Sequence, residues 1–522
     1  MSINLFEREE IQNEKRFWLR TTRRCNNHCI FCHDSEIQNG ELIKTDILRQ
    51  EIRNARQNGY SRLILSGGEP TIHPDIINLI DYARRLGFDW IQIISNGRMF
   101  AYPDFTRRSV AAGLSEVTIS LHSHIEEVSD RITGVKGSYM QTIRGIENLK
   151  RYNIVISIDI VINRLNFRHL REAIEYFYKR FGISEFDLLH LTPFGRALLN
   201  YEELRISEEE ERWAIKKAIK YAEEQNIVVW TNRVLPQILE QNEKYIQDPH
   251  KILDEIYGRS EIFEKYLSSG ILECRNSRRC ADCFVREFCD FLIDLRSRYL
   301  KRRVERIEIK EPIEEDLIEE IFDHLMYNAT IMTTPKIARS LYNEIENSHK
   351  RLILKVRGGE DIQAVVKELK PVELISDSIE ITRIKGIKKT LILNNENISY
   401  IVSDRNLSLF FPNSSFLKEE FEVIPDIKAI KEVIKKTDHL KISNLPRCIT
   451  KEHYRDNPYF FKAEFITKEG FELNTISSDF LLNRNYYKSL RCKNCKFSTQ
   501  CKGIHINHIR RFGFKILKPV KL

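Results

Sequence analysis

No stretch of this 522-residue chain approaches the run of roughly 18 to 20 apolar residues that spanning a bilayer requires. Its first residues, MSINLFEREE, lack the basic-then-apolar order of a secretory signal. A cytoplasmic location with no membrane partner is therefore expected. An excess of one charge sign is also missing: 83 Lys and Arg against 75 Asp and Glu leave +8, too little at this length to indicate nucleic acid. With 42% hydrophobic and 30% charged residues, large-scale disorder is excluded and two or three domains are expected.

Cysteine is absent from residues 34–273 and 290–447, and ten of the 11 cysteines fall into three tight groups. Scattered core thiols would not cluster in this way. An odd count without an export signal argues against a disulfide framework, so the groups read as metal-ligating thiolates.

The first group is Cys25, Cys29 and Cys32 in RRCNNHCIFCH. Three thiolates spaced four and three residues apart converge on a compact loop but leave one position open on a tetrahedral zinc or a four-iron cluster. An open position serves chemistry. If His28 or His33 filled it, the loop would instead be a closed zinc knuckle.

The chain around this loop repeats a strand-then-helix rhythm. Six β-branched or aromatic runs, at 17–21, 63–66, 90–94, 117–121, 155–161 and 186–191, alternate with amphipathic stretches such as 46–58, 75–86, 138–152 and 167–181. This alternation predicts a parallel sheet, whose function gathers at the carboxyl ends of the strands. Polar motifs stand there. SGGEP follows the second strand, with Gly67 and Gly68 able to bring backbone close to a ligand and Glu69 as an anionic acceptor. SNGR, residues 95–98, follows the third, and the fourth ends in SLHSH before DRITGVKGS.

Together these motifs resemble the radical S-adenosylmethionine (radical SAM) superfamily over roughly the first 200 residues. The resemblance implies a partial (β/α)6 TIM-like barrel in which Cys25, Cys29 and Cys32 bind a 4Fe-4S cluster. S-adenosyl-L-methionine would chelate the unique iron, and electron transfer into its sulfonium would release a 5′-deoxyadenosyl radical. It further implies that Phe31 contacts the adenine and that Gly67, Gly68 and Glu69 receive the methionine amino group. Asn96 is an additional cofactor contact, Ser120 fits the ribose, and Arg131 fits the methionine carboxylate through a paired charge-assisted interaction. His122 departs from the SLD of many relatives. At the end of the sixth strand, HLTPFGRA resembles the PxGR turn of some relatives, and Arg196 is expected to reach toward the cavity.

The remaining cysteines form a second pattern. Cys280, Cys283 and Cys289 in RCADCFVREFC share their spacing with Cys492, Cys495 and Cys501 in RCKNCKFSTQC, an internal repeat. Cys274 stands beside the first triplet, and Cys448 is available to the second. The C-x2-C-x5-C core resembles SPASM or twitch regions, which implies one or two auxiliary 4Fe-4S clusters; two structural zinc sites are the alternative. Neither triplet is followed by the usual fourth cysteine.

The expected class is α/β: a radical SAM core at 13–200, then a helical bridge with the first auxiliary cysteine module at 201–300. An inserted α/β or α+β domain at 301–440 opens on a charged stretch suited to an exposed helix or linker. It carries the VRGGED turn at 356–361 and an alternating run at 379–393 that suits paired strands. The second cysteine module is 441–522. The expected function is that of an oxidoreductase-like radical enzyme taking hydrogen from a peptide or protein substrate as a peptide maturase, with an electron donor such as flavodoxin or ferredoxin. Small-molecule cofactor biosynthesis is the alternative within the family. A non-catalytic zinc protein binding RNA or an acidic partner is the alternative outside it.

Overall fold

The computed structural model describes residues 15–358, 360–401, 404–437 and 439–521. The amino-terminal decapeptide and Gly359 of the VRGGED turn lie outside the described residues. Two compact units account for the chain, Met1–Asp248 with Arg275–Phe284, and Pro249–Cys274 with Val285–Leu522. These divisions differ from boundaries at 200, 300 and 440. Residues 275–284 join the first unit through Arg279, whose guanidinium lies 4.6 Å from the Phe194 ring, and Asp282, which accepts from the Tyr201 hydroxyl.

The first unit is a seven-stranded parallel sheet whose order follows the chain: β1 (Arg16–Thr22), β2 (Arg62–Gly67), β3 (Trp90–Ser95), β4 (Glu116–Ser120), β5 (Val155–Val161), β6 (Glu185–Leu189) and β7 (Val228–Asn232). An order without reversal is that of a barrel, where a doubly wound sheet would switch direction. β7 corrects the six-strand reading. It sits inside a stretch that looked helical because the preceding helix, Glu208–Gln225, is long and charged. That helix begins with a reciprocal cap, Glu210 N–H to Ser207 Oγ at 3.2 Å and Ser207 N–H to Glu210 Oε2 at 2.8 Å, worth about 1 kcal/mol. It ends where Asn226 turns left-handed at φ 56°.

Period-two alternation splits each strand between two environments. In β6, Phe186 and Leu188 are fully buried against the helices, each stabilising the fold by about 1.5–3 kcal/mol, while Glu185 and Asp187 take the opposite face. That opposite face is polar. Glu116 of β4 accepts from Arg62 at 2.7 Å, Trp90 at 2.9 Å and Gln92 at 3.0 Å, and Glu185 accepts from Trp230 at 2.8 Å. A packed barrel centre would be apolar, so this one is built to remain in contact with polar groups.

The second unit is an eight-stranded parallel sheet. Its strands are β8 (Val304–Ile309), β9 (Leu325–Thr333), β10 (Arg351–Lys355), β11 (Glu373–Ser376), β12 (Lys388–Ile392), β13 (Leu407–Phe410), β14 (Lys441–Ser443) and β15 (Phe461–Lys462). β8 to β14 again follow chain order, and β15 adds beside β8 through Phe461 and Ile307. The inserted domain is thus α/β, and the segment read as a separate second cysteine module supplies two of its strands. The charged stretch after Lys301 is a strand followed by the helix Glu315–Asp323. The alternating run at 379–393 is a 3-10 turn, Ile379–Arg383, and one strand with parallel neighbours, because β12 is buried between β11 and β13 instead of folding into a hairpin. Among the described residues no helix is long and apolar enough to cross a membrane.

Candidate active site

The loop after β1 carries Cys25, Cys29 and Cys32. It has little regular structure of its own, and its shape comes from neighbours at the carboxyl ends of other strands. The amides of His28 and Ile30 donate to the carbonyls of Thr133 and Ile132 at 2.9 Å each, and Asn200 Nδ2 donates to the Ile30 carbonyl at 2.9 Å. Arg98 Nη1 reaches Asn27 Oδ1 at 2.7 Å, and Asn96 Nδ2 reaches Asn26 Oδ1 at 2.6 Å. Asn96 and Arg98 of the SNGR motif therefore brace the loop.

The three thiols are electrostatically coupled. Burial pushes Cys25 up to about 11, with Glu69 and Cys32 adding to it, and pushes Cys29 up to about 12 with help from Cys25 and Cys32. Cys32 is raised by burial and by Asp34. Arg196 opposes all three shifts, and its Nη2 is held by Gln38 Oε1 at 3.0 Å. This is the cation best placed to offset negative charge on the triad. Sequence placed Arg196 toward the cavity; its link to the thiols needed the turn at Gly195, whose φ is 54° and where a Cβ would sit 2.6 Å from the Cys32 carbonyl.

A group that takes three thiolates and keeps one position open fits this donor set. His28 is exposed, and the His33 ring engages Asp34 at 3.2 Å, so neither imidazole completes a zinc knuckle here. Among the described residues no group of three or more Cys, His, Asp or Glu side chains is arranged, as it stands, to hold a metal ion.

Gly67, Gly68 and Glu69 form the turn after β2, beside the loop. A Cβ on Gly67 would meet the Thr22 carbonyl at 2.5 Å, so the diglycine is required first by close contact between two backbones. The Glu69 carboxylate points inward. It accepts from Thr71 N–H at 3.0 Å, Thr71 Oγ1, Ser95 Oγ at 2.8 Å and Asn96 N–H at 2.7 Å, and burial raises its pKa against those bonds. Its oxygens hold the turn, as do the Gly68 and Glu69 amides, which donate to the Thr22 and Arg24 carbonyls at 2.8 Å each.

Phe31 packs against the apolar cluster of Leu191, Ala197 and Leu204 and meets His122 edge-on at 4.6 Å. Burial pushes His122 down to about 3, so the ring is neutral; its Nδ1 accepts from the Val161 amide at 3.2 Å. Ser120 ends β4 beside Asp159 of β5. The exposed Arg131 guanidinium pairs with Glu203 at 2.5 Å.

Sequence reading missed two carboxyls. Asp159 and Asp187 are direct neighbours across β5 and β6. Burial, then Asp187, holds Asp159 well above the usual carboxylate range, and burial pushes Asp187 up to about 6. The available signal was a lone acid interrupting each of two apolar strands, ISIDIV and FDLL.

In the second unit, Cys448, Cys492, Cys495 and Cys501 come together. Burial pushes Cys492 up to about 11, and Cys448, Cys501 and Cys495 raise it further; Cys448 in turn is raised by burial and by Cys501 and Cys495. Four thiols thus share one neighbourhood across a gap of more than 40 residues. The first triplet takes another form despite its matching spacing. Cys280 closes on the short helix Ser277–Ala281, and Cys289 is buried in the helix Arg286–Leu300, whereas Cys501 lies in a loop before a two-residue strand. Cys280 and Cys283 belong to the first unit, Cys274 and Cys289 to the second.

Residues 19–177 match the Radical SAM superfamily. Over 206 residues, 38% of this chain, the sequence is 33% identical to a Saccharolobus solfataricus protein named "Probable GTP 3',8-cyclase", covering 65% of that protein. It is 28% identical over 178 residues to the "AdoMet-dependent heme synthase" of Methanosarcina barkeri, covering 34% of this chain and 50% of the relative. The chain thus spans less than two thirds of the length of either. Among solved structures, Streptococcus suis SuiB bound to S-adenosylmethionine aligns with a TM-score of 0.38 at 16% identity, over 47% of this chain and 55% of SuiB. The match over 19–177 thus falls on the thiol loop and the sequential parallel sheet, so this part of the first unit carries the Radical SAM pattern.

Proposed function

We propose that this chain is an enzyme that binds a 4Fe-4S cluster through Cys25, Cys29 and Cys32 and S-adenosyl-L-methionine beside it. The observation carrying this reading is the gathering of three coupled thiols at the β1 end, against the diglycine turn of β2. When bound, the pair supplies a 5′-deoxyadenosyl radical able to take hydrogen from a substrate. The chain's own residues supply the setting. Arg196 offsets charge on the thiolates, Phe31 and neutral His122 offer an apolar face for the adenine, and the backbone of Gly67 and Gly68 meets the methionine end. Ser120 is assigned to the ribose and Arg131 to the carboxylate. The polar inner face with Asp159 and Asp187 receives the substrate.

For substrate class we take a peptide or protein, with Cys448, Cys492, Cys495 and Cys501 holding an auxiliary 4Fe-4S cluster. Such a cluster would accept the electron left after hydrogen abstraction. A second reading, a small-molecule substrate, is favoured by the relatives named for GTP cyclisation and haem synthesis.

Anaerobic purification with iron, sulfide and zinc quantified, followed by reductant and S-adenosyl-L-methionine, tests the proposal. Deoxyadenosine should form and be lost in the Cys25→Ala, Cys29→Ala, Cys32→Ala triple variant. About twelve irons per chain would support three four-iron clusters, and about four would leave the later cysteines to other roles. Zinc alone in folded protein, with no deoxyadenosine, would overturn the enzymatic reading.

A further inference from the structure

The second sheet has a cavity of its own, of about 680 Å3, which shares only Cys501 with the residues assigned above. That volume lies in the range of sites that enclose small molecules. Period two builds its wall: Ile353 and Lys355 of β10, Glu373 and Ile375 of β11, and Thr390 and Ile392 of β12 all face it.

Charge is its informative feature. Seven cationic side chains line the cavity against three carboxylates. Those carboxylates are already engaged. Glu308 accepts from both Lys355 and Lys462, and Lys462 also pairs with the buried Asp479 at 3.9 Å. Glu373 pairs with Arg455 at 3.3 Å, and Asp456 accepts from the Tyr454 hydroxyl at 2.7 Å. Lys310, Arg447, Arg484 and Lys502 make no ion pair among the described residues. A negatively charged metal cluster on Cys448 and Cys501 would answer Arg447 and Lys502, their chain neighbours; it would leave Lys310 and Arg484, which make no ion pair among the described residues.

Arg484 is fixed in place by a ring and makes no ion pair, with Asp479 and Asp294 as the carboxylates acting on it from a distance. Its guanidinium lies 3.6 Å from the Tyr459 ring centroid, and both its Nε and the Tyr459 hydroxyl are buried without hydrogen-bond partners. Buried polar atoms of this kind are rare in folded proteins and call for a partner. A guanidinium with one face covered by a ring presents its N–H edge, the geometry that takes carboxylate or phosphate in pairs of bonds.

We propose that this cavity binds an anionic small molecule bearing a phosphate or carboxylate group, with Arg484 and Arg455 on the anion and Lys355 and Lys462 beside it. None of these four residues belongs to the triad, its loop or the auxiliary thiols, although Cys501 also lines the cavity.

Pyridoxal 5′-phosphate, an anionic aldehyde, is a suitable probe. It condenses with a neutral lysine amine to an imine with loss of water, and borohydride fixes the product. Burial and Lys310 push Lys355 down to about 8, so its amine is available near neutral pH. The full-length chain is treated at pH 7.5, reduced, and mapped by peptide mass spectrometry. Lys355 or Lys462 should be modified at least tenfold faster than exposed lysines such as Lys220. Pyridoxal, which lacks the phosphate, should react there at least tenfold more slowly, and Arg484→Gln should slow the phosphate form similarly. Protection of the unmodified chain, which needs no variant, distinguishes the anion: pyrophosphate points to a phosphate ligand and citrate to a carboxylate. Modification spread evenly over surface lysines, equal reaction of the two aldehydes, or protection by neither anion overturns the proposal.

Discussion

A methyl group on Gly68 would lie 2.2 Å from the backbone carbonyl oxygen of Arg24, the residue before Cys25. The same two segments are joined by Glu69 N–H donating to that oxygen at 2.8 Å. Because the obstacle is backbone, no rotamer change relieves it. Gly68→Ala must displace the start of the thiol loop, and shifts near 1 Å at a reacting site cost on the order of a hundredfold in rate. We expect iron at the first site and deoxyadenosine formation to fall at least tenfold while far-ultraviolet circular dichroism is retained. Wild-type activity in this variant would show that the contact does not set the loop.

The thiol pKa values fix a pH dependence. With Cys25 near 11 and Cys29 near 12 because of burial, both are neutral thiols at pH 7 in the metal-free chain. Alkylation by iodoacetamide requires the thiolate, so its rate at Cys25 should rise about tenfold per pH unit from 7 to 9. Metal uptake should release protons and tighten as pH rises. A rate that levels off between pH 7 and 8 would contradict this.

Asp187 links the polar inner face to stability. A carboxyl whose pKa is raised on folding, here to about 6 by burial against about 3.9 when unfolded, favours the folded state at low pH. That contribution is full below about pH 4 and is lost as pH rises through about 6. Asp187→Asn removes the titration while keeping the shape. Its urea midpoint should exceed that of the wild type at pH 8 and lose this advantage at pH 4. Equal differences at both pH values would rule out a raised pKa.

Cys448 is distant in sequence from Cys492, Cys495 and Cys501, yet shares their electrostatic neighbourhood. If the four form one metal site, Cys448→Ala should lower bound iron by up to four atoms per chain and leave deoxyadenosine formation from the first site measurable. Cys289→Ala, in the other triplet, should not disturb that quartet. Unchanged metal content in Cys448→Ala would separate Cys448 from the triplet.

The first site was legible because its chemistry is written in local strings. CNNHCIFC, SGGEP and SNGR each stand at the end of one strand, and period-two and helical patterns place those ends together. Arg196 and the Asp159–Asp187 pair were harder to see. Their meaning depends on which groups face them across strands and turns, and a lone acid in an apolar run looks the same whether it meets water, a cation or another acid. β7 was hidden for a related reason: five residues behind a long charged helix carry too little pattern to stand out, while in the fold Val228–Asn232 is secured by its ladder with β6.

By itself, the sequence determined the three-thiol loop, the strand-and-helix repeat of the first unit and the grouping of the later cysteines, all of which rest on spacing within short segments. Only the tertiary structure decided that the second unit is another sequential parallel sheet, that Cys448 joins the last triplet, and that a cationic cavity opens in that sheet. Strand order, thiol proximity and charge balance are sums over residues far apart in the chain, and burial, which raises Cys25, Cys29 and Glu69 and lowers Lys355, exists only once the chain has folded.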